Sequence, residues 1–322
     1  MVLCIENREY NQSCSLDKLL NHSNLIELSK QFALSTEYTE NVDDISHVLY
    51  IGQYEYGVLN KNDPNELYMI GSDDATTCHI IIIEQQDTVA LAHLDGRETQ
   101  NSIDSICREL KRYQTNNFDY NVYLVGGFLD NSRKQYSNTL SNEVLNVLAK
   151  NEQNKFHLKL AAITPHNDYI KAENNTHYPY IYGVLYDIRN NQLKKMTFID
   201  NGPGSCLRSL RGSEYSLPLL CVYSSLNGYI FIDKFSVNST HYQQYRYLYD
   251  YYYSNDKSLL KVTSTSPEQE RPSYLKMMRN KIVYILKYYQ QIDKWFDNET
   301  SSIIYKKDPS THQWITNSPV VE

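Results

Sequence analysis

Cys78 and His93, fifteen residues apart, could act together as a thiol nucleophile and the base that takes its proton. The runs HIIIIE (79–84) and TVALAH (88–93) read as strands separated by the polar break Gln85-Gln86-Asp87, and therefore as a hairpin. With Glu84 set opposite Asp87, Cys78 falls directly across from His93, where facing Cβ atoms are about 4.5–5.5 Å apart. His79 then points to the other face of the sheet. The arrangement depends on register, because a slip of one residue turns every side chain of one strand over. Taken singly, a cysteine entering an apolar strand and a histidine at a strand end are ordinary core residues. Their flanks favour the chemical reading. Residues 71–77 (GSDDATT) form a loop of small and acidic residues whose successive N–H groups could hold an oxyanion, and Asp95-Gly96 marks a turn where the sheet end can open.

Such a pair needs a domain to hold it, and 322 residues are enough to bury a substantial core. A net charge of −7 without any block of Lys or Arg argues against a nucleic-acid partner. No run approaches the roughly 18 apolar residues that span a bilayer, so no membrane partner is expected. Glu6 and Arg8 stand where a secretory segment would be apolar, so a soluble protein of the cytoplasm, with the nucleus as a second compartment, is expected. The cysteines at 4, 14, 78, 107, 206 and 221 form no CxxC pair. They are expected as reduced thiols, with no metal site and no cofactor.

Hydrophobic periodicity predicts one or two helices over 15–33, then helices near 102–113, 137–148 and 273–292. Strands are expected at 47–57, 66–70, 121–125, 156–163, 181–187, 195–199 and 219–224, with Asn227-Gly228 as a two-residue hairpin turn into 229–233. A short hairpin should follow at 303–305 and 313–315. The order lacks regular βαβ alternation, which favours an α+β domain with mixed or antiparallel sheets. One domain over 1–322 is expected, with Ser264–Ser273 (STSPEQERPS) either a boundary or a lid over the site. The Tyr-rich run 242–253 (YQQYRYLYDYYY) reads as an amphipathic or partly exposed aromatic segment.

GSDDATTCHI at 71–80, HLDG at 93–96, VYLVGGFLD at 122–130, YIYGV at 180–184 and STSP at 264–267 resemble, in order, the protein N-terminal asparagine amidohydrolases, which open one branch of the N-degron pathway in eukaryotes. The first block is highly specific; the GG and STSP fragments would be weak alone. The resemblance implies an α-β-β sandwich, similar to that of the cytotoxic necrotizing factors and chemoreceptor glutamine deamidases, with a Cys–His pair on neighbouring strands. It places the nucleophile on Cys78 and its partner on His93. Ser72 matches the position where related deamidases carry a hydroxyl that orients the imidazole, with Ser266 or Thr76 as alternatives.

The implied reaction converts an amino-terminal Asn side chain to Asp with release of ammonia. In it His93 takes the Cys78 proton and stabilises the resulting ion pair, the thiolate attacks, and water hydrolyses a thioester. The N–H groups of Thr77 and Cys78 would hold the oxyanion. Asp73 and Asp74 are the carboxylates best placed to read the substrate α-ammonium, and Thr76, Thr77 and Ser266 complete the expected substrate contacts. Partners would be proteins or peptides with a free N-terminal Asn, met by a monomer. Two other readings keep the same residues: a deamidase of internal Asn or Gln in a particular protein, and a non-catalytic module that recognises terminal residues.

Overall fold

The computed structural model describes residues 2–35, 38–39, 45–114, 119–214, 216–237, 239–253, 255–296 and 302–316. The chain opens with β1 (Leu3–Ile5), β2 (Arg8–Tyr10), α1 (Leu16–Leu19), α2 (Ser23–Leu34) and the short β3 (Tyr38–Thr39). Then come β4 (Val48–Tyr50), β5 (Glu55–Asn60), β6 (Met69–Ser72) and the central hairpin β7 (His79–Gln85) and β8 (Thr88–Leu94). The middle of the chain holds α3 (Thr99–Leu110), β9 (Asp119–Gly126), α4 (Tyr136–Lys150), β10 (Lys155–Ile163), β11 (Asp168–Lys171), β12 (Thr176–Pro179), β13 (Val184–Asp187) and β14 (Gln192–Met196). The remainder is α5 (Ser205–Gly212), β15 (Leu220–Ser224), β16 (Tyr229–Asp233), α6 (Ser239–Tyr249), α7 (Asp256–Thr263), α8 (Pro272–Trp295), β17 (Ser302–Lys307) and β18 (Trp314–Thr316).

Two mixed sheets stack. The large one runs β18-β17-β16-β15-β5-β8-β7-β9-β10-β1-β2 and the smaller one β3-β14-β13-β6-β4. Every residue of β7 and β8 is buried, which is why both read as nearly unbroken apolar runs. Ile81, Ile83, Ala90 and Ala92 meet Ile103 and Ile106 of α3 and Leu140 and Val144 of α4. On the opposite face, Ile80, Ile82, Val89 and Leu91 meet Leu49, Ile70, Val184 and Tyr186 of the smaller sheet. Helix, sheet and sheet are thus layered as the α+β, α-β-β expectation requires, and each fully buried branched residue in the stack contributes roughly 1.5–3 kcal/mol relative to exposure. Helix α8 joins the inter-sheet core through Ile282, Ile285 and Ile292, after Pro272 opens it at a position that needs no N–H donor.

The register of the central hairpin corrects the expectation. Gln85 pairs with Thr88 and Ile80 with His93, so Gln86-Asp87 is a two-residue turn with Gln86 at φ +52. Cys78 therefore lies two residues outside the residue facing His93, not opposite it. An offset of two preserves the face, so both side chains still address the gap between the sheets. The turn at Asn227-Gly228 also differs: Ser224 pairs with Tyr229, leaving a four-residue connection that ends on Gly228 at φ +70. The strand expected at 195–199 leaves its sheet after Met196, and the one expected from 181 begins at Val184; the released residues reach the site described below.

Candidate active site

Cys78 lies in the bend just before β7 and packs, half-buried, against the inter-sheet core. His93 comes from β8 and is buried. Both line one cleft of about 1440 Å³. Ser72 ends β6 in the other sheet, fully buried, with Oγ 2.9 Å from His93 Nδ1. With Nδ1–H donating to that hydroxyl, Nε2 carries the lone pair, and among the described residues Nε2 has no hydrogen-bond partner. A thiol, an imidazole and a hydroxyl bonded to it are thus drawn from both sheets.

Burial dominates their electrostatics. It lowers His93 to about 4, against the pull of Asp95, and it pushes the Cys78 thiol up, assisted by Asp95 and Glu270 and opposed by Arg97. Both shifts favour the uncharged forms, thiol and neutral imidazole.

The loop that delivers Cys78 is tied on every side. Ala75 N–H donates to Tyr182 O (2.9 Å), using a residue released from β13. Thr77 Oγ1 lies 3.2 Å from Thr265 Oγ1, and Ser137 Oγ of α4 donates to Thr77 O (3.4 Å). Asp73, 1% exposed, lines the cleft and accepts from Tyr50 OH (3.0 Å) and from Phe198 N–H (2.8 Å), so that each oxygen holds one partner that braces the loop. Asp74, at φ +55, accepts from Ser273 Oγ (2.7 Å). Burial and mutual repulsion raise Asp73, and burial raises Asp74; Arg271 opposes both shifts. Thr76 Oγ1 donates to Glu270 Oε1 (3.3 Å). Ser266 is buried, its N–H donating to Ser264 Oγ, while Ser264 and Thr265 rather than Ser266 line the cleft.

Gly126 explains the glycine pair that ends β9. It sits at φ +117, and a Cβ there would approach Cys78 O to 2.6 Å. Gly126→Ala is expected to push Cys78 off its position and to lower the rate of any reaction at its thiol roughly 100-fold, the scale set by displacements near 1 Å. His79 points the other way, as its place in the strand requires, and its Nε2 bonds Ser141 Oγ of α4 at 2.6 Å.

Sequence reasoning missed Glu270. Its Oε1 also accepts from Ser264 Oγ, while Oε2 is buried and accepts no hydrogen bond from the described residues. Burial, with Asp74 adding, raises Glu270 to about 7 against the hydroxyls of Ser264 and Thr76. The residue stands six positions after Ser264, so STSP and this acid form one wall of the cleft. Its only signal in the sequence was the acidic run beyond STSP, and nothing local ties that run to Cys78.

Comparison with known proteins gives the chain a family. The family model described as "Protein N-terminal asparagine amidohydrolase" matches residues 38–316. The chain is 29% identical over 265 residues to the pig protein of that name, covering 81% of each chain. It is 28% identical to the human one over 267 residues, again 81% of each, and 25% identical to the Arabidopsis thaliana one over 264 residues, 74% of this chain and 73% of the other.

Proposed function

The chain belongs to the protein N-terminal asparagine amidohydrolase family, and from that premise we propose that it hydrolyses the side-chain amide of an amino-terminal Asn to Asp, releasing ammonia. The observation that carries the reading is His93, held by Ser72, its Nε2 without a hydrogen-bond partner among the described residues, sharing a cleft with Cys78.

In the proposed sequence His93 Nε2 takes the thiol proton as Cys78 Sγ bonds to the amide carbon. The Thr77 and Cys78 N–H groups receive the oxyanion. The imidazolium then protonates the amide nitrogen, the C–N bond breaks, ammonia leaves and a thioester remains. Water, deprotonated by His93, attacks the thioester carbon; the C–S bond breaks and the thiol recovers its proton. Glu270 Oε2, with Asp74 nearby, accepts the substrate's α-ammonium, which selects a free chain terminus. A cleft of this size has room for residues beyond the first, consistent with protein and peptide substrates. All six cysteines are free, which suits a reducing compartment such as the cytoplasm. None of the described helices is long and apolar enough to cross a membrane.

The pH dependence follows with a definite sign. Glu270 must be ionised to hold an ammonium, so kcat/KM rises as pH passes about 7. The substrate's α-amino group must stay protonated, so kcat/KM falls above its ordinary value of about 8. A narrow bell between these limits is expected from initial rates of ammonia release on an Asn peptide. A profile flat from pH 5.5 to 9, or full activity on an α-acetylated peptide, would remove Glu270 and the free terminus from the account.

A further inference from the structure

The geometry points to Gln53 as a second oxyanion donor, a catalytic residue that completes the hole with the backbone N–H groups of the loop; this inference rests on the thiol reading of Cys78. Gln53 lies between β4 and β5, its side chain at the mouth of the cleft. Its Nε2 stands 3.7 Å from Cys78 Sγ and 3.5 Å from Asp95 Oδ2. Both neighbours are acceptors, so the NH2 end of the amide faces them and the carbonyl end is turned away.

The turn that carries Gln53 is clamped. Gly52 N–H donates to Glu55 Oε2 (2.7 Å), Glu55 is in a buried ion pair with Arg208, and Tyr54, at φ +63, donates its N–H to His93 O (2.9 Å). Asp95 is fixed in turn by Arg97, whose Nε donates to Oδ2 at 2.8 Å and whose guanidinium lies 3.7 Å above the Tyr54 ring. One N–H of the exposed Gln53 amide therefore faces a fixed carboxylate at 3.5 Å and the other faces Cys78 Sγ. When Sγ bonds to the substrate carbon, the carbonyl oxygen becomes an anion within about one bond's reach of that sulfur. The N–H that faced the thiol can then transfer to the oxygen while the other still faces the carboxylate, so the contact strengthens in the transition state.

The test compares wild type with Gln53→Ala and Gln53→Glu on an Asn-initiated tetrapeptide. Steady-state ammonia release gives kcat, and peptide titration in a Cys78→Ala background gives Kd. The expected result is a kcat lower by about 100- to 1000-fold in both variants, with Kd within threefold and unfolding temperature unchanged. Gln53→Glu should be no better than Ala, because a carboxylate offers no donor and repels the anion. A kcat within threefold of wild type in Gln53→Ala, or a loss lodged entirely in Kd, would overturn the assignment while leaving the proposed function standing. Absence of release by folded wild type would overturn both.

Discussion

Cys78→Ala is expected to abolish ammonia release from Asn-initiated peptides while the protein folds and still binds them. Removing the nucleophile of a thiol hydrolase leaves no second route to the thioester, so the loss should reach the assay floor, roughly 10⁴-fold or more. The fold should hardly notice. Cys78 lies in a bend, half-buried, and its loop is held by Ala75, Thr77, Asp73 and Asp74 rather than by the thiol. Titration of a peptide into Cys78→Ala should give a dissociation constant near that of the wild-type Michaelis complex. Residual turnover within 100-fold of wild type would mean that another group attacks the amide.

Glu270→Gln carries the second large effect, and it separates binding from stability. The substrate ammonium loses a buried ionic partner worth about 2–4 kcal/mol, so kcat/KM at pH 7.5 should fall roughly 30- to 1000-fold, mainly through KM. Stability should move the other way. Burial holds the folded acid at about 7, above its ordinary 4.5, so its favourable contribution is fully present below about pH 4.5 and is lost as pH rises through 7. Glutamine cannot titrate and keeps that contribution at pH 8. The variant should therefore be more stable than wild type at pH 8 by about 1–3 kcal/mol, unfolding at a higher temperature there and at nearly the same temperature at pH 4.5. A variant less stable than wild type at pH 8 would show that the ionised carboxylate is held by partners that the cleft does not contain.

Much of the site was legible because its chemistry sits in contiguous blocks. The apolar runs of β7 and β8 announce their strands, and the GSDDATTCHI block places the thiol at the mouth of one of them. The hairpin register was misjudged because polar Gln85 looks like turn but pairs with Thr88 in the ladder. The error was harmless to the face, since an offset of two residues keeps parity. What could not be read locally are contacts between distant segments. Tyr50 and Phe198 reach Asp73 from 23 and 125 positions away, and Glu270 reaches Thr76 across 194. Those contacts brace the loop through Asp73 and set Glu270 in the wall of the cleft. Gln53 is hidden for the same reason: its partners, Cys78 and Asp95, lie 25 and 42 residues on. The Tyr-rich run proved to be α6 and the turn after it, with Tyr247 OH 2.8 Å from Tyr251 OH on an exposed face and Tyr245 buried.

Cys78 and His93 are proposed to deamidate an Asn only at a free amino terminus. Intact-mass measurement tests this most directly, on peptides of one sequence beginning with Asn, Gln or acetyl-Asn, each incubated with wild type and with Cys78→Ala. A gain of about one mass unit on the free Asn peptide alone, with wild type alone, is the predicted result. Equal gain on the acetyl-Asn peptide, or gain that persists in Cys78→Ala, would contradict it.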